Sequence, residues 1–280
     1  MTGLIRILGR YEVWIFFSLL VIANAVFVTS VVAGWVPEDV YGLGRFALLG
    51  LILFGLILVV RGRHGVHEVL RPMLEWRRSP LLYLFAFGWT FALCLLVLTA
   101  KGIATGEYLS WSELAAGFER IAHPKLLITL LVSSFIGEIV WVSYAVRRLS
   151  LQFTPYVSAL IVGFVWTLWW LPMSIYSFGI IPELPLGAFL FNQMGVALMC
   201  AFVYHHTRSG FLVLVMQIVF NATILVFPVT PTAGGAVTYW AFALTYFSAA
   251  TWLFLRFGPG PLFQARRHRS DSSSPSLATG

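Results

Sequence analysis

The chain has 280 residues, of which 59% are hydrophobic and only 10% charged, with a formal net charge of +7. Soluble domains carry about 25% charged residues, so the composition excludes an ordinary globular protein, a disordered chain and a disulfide scaffold. An excess of +7 would point to nucleic acid in a soluble protein. In a chain this apolar it points to the anionic surface of a membrane, with lipid as the expected partner and nucleic acid not.

A membrane-crossing helix needs about 20 mostly apolar residues. Eight runs answer to this: residues 13–32, 42–60, 81–99, 126–146, 156–175, 186–203, 211–227 and 239–255. The first is too long for a removable signal peptide and lacks its small-residue cleavage site. The runs are continuous rather than alternating, which favours helices over a barrel. The expected fold is all-α, a polytopic membrane bundle of about eight transmembrane helices forming one domain over residues 1–260. A basic, Ser-rich tail over 261–280 is expected to be cytoplasmic and disordered. With the N-terminus inside, fourteen arginines fall in inner segments, against Arg45, Lys101, Arg120 and Lys125 in outer ones. That asymmetry places both termini in the cytoplasm.

Two connecting segments carry their own patterns. Residues 64–78 put Val66, Val69, Leu70, Met73 and Leu74 on one helical face with basic residues opposite. The pattern predicts a helix lying on the inner leaflet, kinked at Pro72. Ser110-Trp111-Ser112-Glu113 is a capping box ahead of Leu114, Ala115, Phe118 and Ile121, which predicts a short outer-surface helix. Cys94 and Cys200 lie inside apolar runs and read as small core filler.

Ionisable groups inside a membrane are costly and tend to mark function. Of the 11 acidic residues only Glu138 falls deep within a run, and none of the six histidines does. A zinc site needs three or four His, Cys or carboxylate ligands, so neither a resident metal nor another cofactor is expected. At 1.5 Å per residue, Glu138, Trp166 and Asn221 lie roughly 12–16 Å from the inner helix ends. Gln217 is one turn shallower on the face of Asn221, at i, i+4. Together with indole N–H groups of Trp166, Trp169 or Trp170, these residues predict one polar pocket at mid-membrane. Two readings stand side by side: polar glue and aromatic packing between helices, or a functional cavity.

The same stretches carry three motifs in order. The first is Gly137-Glu138-Ile139-Val140-Trp141-Val142-Ser143-Tyr144-Ala145-Val146-Arg147-Arg148-Leu149. The second is Trp166-Thr167-Leu168-Trp169-Trp170-Leu171-Pro172, and the third is Thr207-Arg208-Ser209-Gly210 leading to Gln217-Ile218-Val219-Phe220-Asn221-Ala222. In order, spacing and flanks the chain resembles the CPBP (CAAX protease and bacteriocin-processing, or Abi) family of intramembrane endopeptidases. That family carries Glu-Glu-x-x-x-Arg, Phe-x-x-x-His and His-x-x-x-Asn motifs. The likeness covers about residues 126–224. It implies a prenylated or otherwise membrane-anchored peptide as substrate, the bacterial plasma membrane as location, and glutamate-assisted attack of water on a peptide carbonyl. By position in the motifs, Glu138, Gln217 and Asn221 would be catalytic, and Gly137, Trp141, Trp166 and Trp170 would line the pocket.

This chain departs from the pattern where the chemistry lies. The first Glu is Gly137, the Arg is Val142, and the two His are Trp170 and Gln217. Glycine offers no base, and an indole donates one N–H but accepts nothing. Losing a base or an oxyanion donor costs about 10²–10⁴-fold each. The leading expectation is a family homologue without peptidase activity, a pseudoenzyme acting as a membrane binding or regulatory protein. The alternatives are an active endopeptidase rebuilt around Glu138, and a small transporter using Glu138 as a proton or cation site. The sequence leaves the oligomeric state open.

Overall fold

The structure, a computed structural model, describes residues 2–178 and 184–258, with side chains described from residue 9 onward; the expected tail over 261–280 lies outside the described residues. The helices are α1 (Thr2–Val32), α2 (Tyr41–Leu70), α3 (Pro80–Thr105), α4 (Trp111–Ala122), α5 (Pro124–Leu149), α6 (Pro155–Ile175), α7 (Leu186–Thr207), α8 (Gly210–Val226) and α9 (Ala236–Phe257). No strand occurs among the described residues. Seven helices, α1–α3 and α5–α8, are long and apolar enough to cross a membrane. The chain is therefore an all-α integral membrane bundle.

The eighth expected run forms α9, a helix of 22 residues. Its Tyr, Trp and Thr content lowers its hydropathy, and it is not among those seven. Its course nevertheless matches theirs. Trp240 near its start packs on Gly187 at the start of α7. The carbonyl of Phe257 at its end lies 3.1 Å from His206 Nε2 at the end of α7. α9 thus runs beside α7, in the same direction, through the whole depth of the bundle.

Helix boundaries follow local chemistry. α3 and α6 begin with Pro80 and Pro155, whose missing N–H is no loss in a first turn. Thr154 Oγ1 caps α6 by accepting from Val157 N at 3.3 Å, and Ser209 Oγ caps α8 by accepting from Leu212 N at 3.0 Å. Gly106 ends α3 with φ of 76°, a left-handed cap that suits glycine. The expected capping box forms: Ser110 Oγ accepts from Glu113 N at 3.2 Å, and Ser110 N donates to Glu113 Oε2 at 2.9 Å. The resulting α4 lays Gly117 against the backbone of Val226 in α8 and leaves Trp111 and Phe118 exposed.

Three expectations are corrected. α1 starts well before the apolar run and carries Glu12 inside the fold, 1% exposed. The expected helix over 64–78 forms in shorter form: α2 breaks at Gly62 (φ 62°, ψ −161°), and a second helical segment runs on to Leu70, with Val66, Val69, Leu70 and Met73 packed against the core. Pro72 ends that segment rather than kinking it, because it lies in a 3₁₀ turn at Arg71–Leu74, and Leu74 is exposed rather than part of a buried face. The third correction concerns α5. Its middle, Glu138–Val146, is wound as a π-helix, and all nine of its residues are buried. A stretch apolar on every side belongs at the centre of a bundle, and here it is the central rod.

The end of the bundle holding the ends of α2 and α5 is tied by ions. Glu12 accepts from Arg61 Nη2 at 3.0 Å and from Arg148 Nη2 at 3.1 Å. Glu68 accepts from Arg61 Nη1 at 2.7 Å and from Arg147 Nη2 at 2.8 Å. Arg61 bridges the two carboxylates, so α1, both halves of α2 and α5 converge at this arginine-rich end.

Candidate functional site: an intramembrane cavity of indoles and amides

Toward the opposite end, α5, α6, α7 and α8 surround a cavity of about 120 Å³. Helical spacing builds its walls. Trp166, Trp169 and Trp170 share one face of α6, and Gln217, Asn221 and Ile224 share one face of α8. α5 contributes Gly137 and Trp141, and α7 contributes Phe189, Asn192 and Gln193.

The tryptophans form a continuous wall. Trp141 stacks on Trp166 with ring centroids 5.3 Å apart and planes 18° from parallel. Its other contact is edge-on to Trp169 at 6.1 Å, and Trp169 meets Trp170 edge-on at 5.6 Å. Such pairs favour offset and edge geometries because the ring faces are electron-rich and the edges positive. Gly137 makes room at the floor. A Cβ there would lie 3.1 Å from Gln217 Oε1 and 3.7 Å from Trp141 Cδ1, so the amide and the N–H side of that indole converge on one spot.

Buried polar groups normally find partners. Several on the residues that line this cavity do not, although these atoms are themselves enclosed by packing rather than open to the cavity space. Nε1 of Trp141, Trp169 and Trp170, Nε2 of Gln217 and Oδ1 of Asn192 have no hydrogen-bond partner. Asn221 is held through its Nδ2, which donates to Ser134 Oγ at 2.9 Å, and that hydroxyl donates to Leu130 O at 2.8 Å.

The structure thus brings together Gly137, Trp141, Trp166, Trp170, Gln217 and Asn221 of the residues singled out in the sequence, and adds Trp169. It does not bring Glu138 to them. The carboxyl is fully buried but is not part of the cavity wall. Ser143 Oγ donates to Glu138 Oε1 at 2.7 Å, five residues on, a pairing that the slower winding of a π-helix allows. The same oxygen abuts Gly210, the first residue of α8, where a Cβ would come within 2.8 Å of it. Glu138 therefore points at the start of α8, where unpaired amides and the helix dipole favour a carboxyl group. Its one hydrogen bond stays within α5, Oε2 has no partner among the described residues, and the carboxyl is not part of the cavity wall.

Arg45 is the residue that the sequence reading missed, having counted it with the outer charges. It is 2% exposed. Its Nε donates to Asn24 Oδ1 at 3.0 Å, its Nη1 to Tyr41 OH at 3.1 Å and to Met173 Sδ, and its Nη2 to Trp169 O at 3.2 Å. The guanidinium lies 3.8 Å from the Trp169 ring centroid and 4.9 Å from that of Trp170. All these partners are neutral, and no salt bridge to Arg45 forms among the described residues. The signal was present: an arginine three residues into an apolar run, with an asparagine in the middle of the preceding one.

No group of three or more His, Cys, Asp or Glu side chains is gathered closely enough among the described residues to hold a metal ion. Comparison with protein-family models and with curated proteins finds no match, so the family likeness rests on the three motifs alone.

Proposed function

We propose that this integral membrane protein is a homologue of the CPBP intramembrane endopeptidases that has kept a lateral cavity and lost the peptidase chemistry. It acts as a binding or regulatory protein in a bacterial plasma membrane, with both termini in the cytoplasm. One observation carries the reading. Four of the motif positions that would hold catalytic groups, Gly137, Trp170, Gln217 and Asn221, line the cavity, and they bring a glycine, an indole and two amides with no carboxylate or imidazole among them. Water attack on a peptide needs a base within hydrogen-bond reach of the water. Glu138, the one motif carboxyl left, is bonded to Ser143 and turned toward α8. The helical architecture supports the location, since bacterial outer-membrane spans are typically barrels.

Purified protein in liposomes, offered a farnesylated CAAX peptide, tests this reading. No product is expected at any peptide concentration, and Glu138→Gln should behave as the parent does. Specific turnover that disappears in a folded Glu138→Gln protein would instead establish a rebuilt endopeptidase.

A further inference from the structure

The break in α2 forms a second concave surface, which shares no lining residue with the intramembrane cavity. We propose that this groove holds an anionic phospholipid of the leaflet at the arginine-rich end, with its phosphodiester on Arg63 and His67 and an acyl chain along Phe54 and Leu58. Shape, charge and position each carry part of the argument.

The shape begins at Gly62. Its φ of 62° and ψ of −161° suit a residue without a side chain, and the helix changes direction there. Before the break, Phe54 and Leu58 share a face at i, i+4. After it, Arg63 and His67 share one, and so do Val66 and Leu70. These six side chains line an open groove of about 370 Å³. A closed apolar cavity of about 150 Å³ accommodates benzene, so the groove has room for a length of hydrocarbon chain. Phe54, Val66 and Leu70 lean on the core, while Leu58 is half exposed. Leu51, two turns before Leu58 and also exposed, continues the apolar stripe along the membrane-crossing part of α2.

Charge selects the headgroup. Arg61, Arg147 and Arg148 are met by Glu12 and Glu68. Arg63, just past the break, is exposed and makes no salt bridge among the described residues, and no carboxylate lines the groove. Arg71 follows at i+8 and is exposed in the same way. A guanidinium presents a fork of N–H donors that matches phosphate oxygens, and an imidazole adds an N–H in either tautomer. The ammonium of a zwitterionic lipid would instead set a second positive charge against Arg63. Position completes the case. Gly62 directly follows Arg61, the arginine that bridges Glu12 and Glu68, so the groove opens where the bundle meets headgroups. There each arginine adds about fivefold to the binding of anionic lipid.

The experiment titrates the full chain, purified in detergent, with equal amounts of palmitoyl-oleoyl phosphatidylglycerol and phosphatidylcholine, and weighs the complexes by native mass spectrometry. The chains are the same, so the headgroup alone decides. Phosphatidylglycerol is expected to fill the first site with a preference of at least about fivefold. Arg63→Gln should cut that preference about fivefold. Arg256→Gln, at an exposed arginine in the last turn of α9, should leave it unchanged. A phosphatidylglycerol with a diazirine in its acyl chain should label peptides spanning 51–58 and 63–70. Free glycerol phosphate, which lacks the chain, should not compete. Equal filling by the two lipids on the unmodified protein would overturn the headgroup assignment, and that comparison needs no variant. Equal losses in Arg63→Gln and Arg256→Gln, or label spread evenly over the lipid-facing helices, would give the preference to the basic surface as a whole and remove the site. Displacement by glycerol phosphate would make the groove a soluble-anion site and overturn its assignment to a lipid.

Discussion

Glu138 and Gln217 illustrate how far a residue's role follows from its neighbours. In Gln217 the i, i+4 relation to Asn221 was enough to find the cavity face, because α8 is a regular helix. In Glu138 the same reasoning placed the carboxyl in the wrong direction, because it sits in π-helical turns whose winding no spacing rule anticipates. The consequence is testable. Glu138→Gln keeps an acceptor for Ser143 and should change stability by less than about 1 kcal/mol, whereas Ser143→Ala leaves a buried carboxyl oxygen unmatched at about 1–3 kcal/mol. Thermal unfolding in detergent ranks the two, and the opposite ranking would show that Glu138 is held by something else. Asn221 should be indifferent to both changes, since its partner is Ser134. The ion network gives a second contrast. The Glu12 side chain is 1% exposed and that of Glu68 is 42% exposed, though each holds two arginines. Breaking a buried pair costs about 3–5 kcal/mol and an exposed one about 0–1 kcal/mol. Glu12→Gln is therefore expected to cost about 2–3 kcal/mol, reduced because Arg61 and Arg148 keep some contact with water, and Glu68→Gln under about 1 kcal/mol. Equal losses of melting temperature would mean that burial does not govern this network.

Among the elements, those announced by chemistry at their ends were the most legible. Ser110 and Glu113 specified α4, while Pro80, Pro155 and Ser209 open helices within a residue or two of the apolar runs at 81, 156 and 211. Elements whose ends depend on tertiary partners were not: α1 extends back over Glu12 because Arg61 and Arg148 receive that carboxylate, and α2 continues past its break at Gly62 because Glu68 meets Arg61 and Arg147. The cap of α4 carries a pH signature. The backbone N–H and hydroxyl of Ser110 both donate to Glu113 and hold its carboxyl below the usual carboxylate range. A lowered folded value means that the stabilisation is complete above the ordinary pKa of a free glutamate and is lost as pH falls through the folded value. Hydrogen exchange in the first turn of α4, corrected for intrinsic rates, should therefore stay slow at neutral pH and accelerate under acid. In Glu113→Gln, which retains an acceptor but no titrating group, that acid dependence should vanish; its persistence would place the titrating group elsewhere.

At the scale of the whole molecule, composition alone fixed the class, because 10% charged residues leave no way to coat a water-soluble surface. The cavity was legible only in part. Its tryptophans and amides lie on regular helices, but Arg45 behind them was lost among the outer charges, since topology counting treats every arginine as a loop residue. Orientation rests on the same counting. Cysteines introduced at Ala104 and Gly235, both exposed in the structure, should react with an impermeant reagent from outside the cell. Labelling of either only after the membrane is opened would invert the topology. The cavity itself is tested most directly by a density map of the protein in lipid nanodiscs. A binding site without peptidase chemistry shows non-protein density inside the cavity walled by Trp166, Trp170, Gln217 and Asn221, with Glu138 still bonded to Ser143. Glu138 turned into the cavity, with an ordered water between its carboxylate and Asn221, would contradict it and restore the endopeptidase.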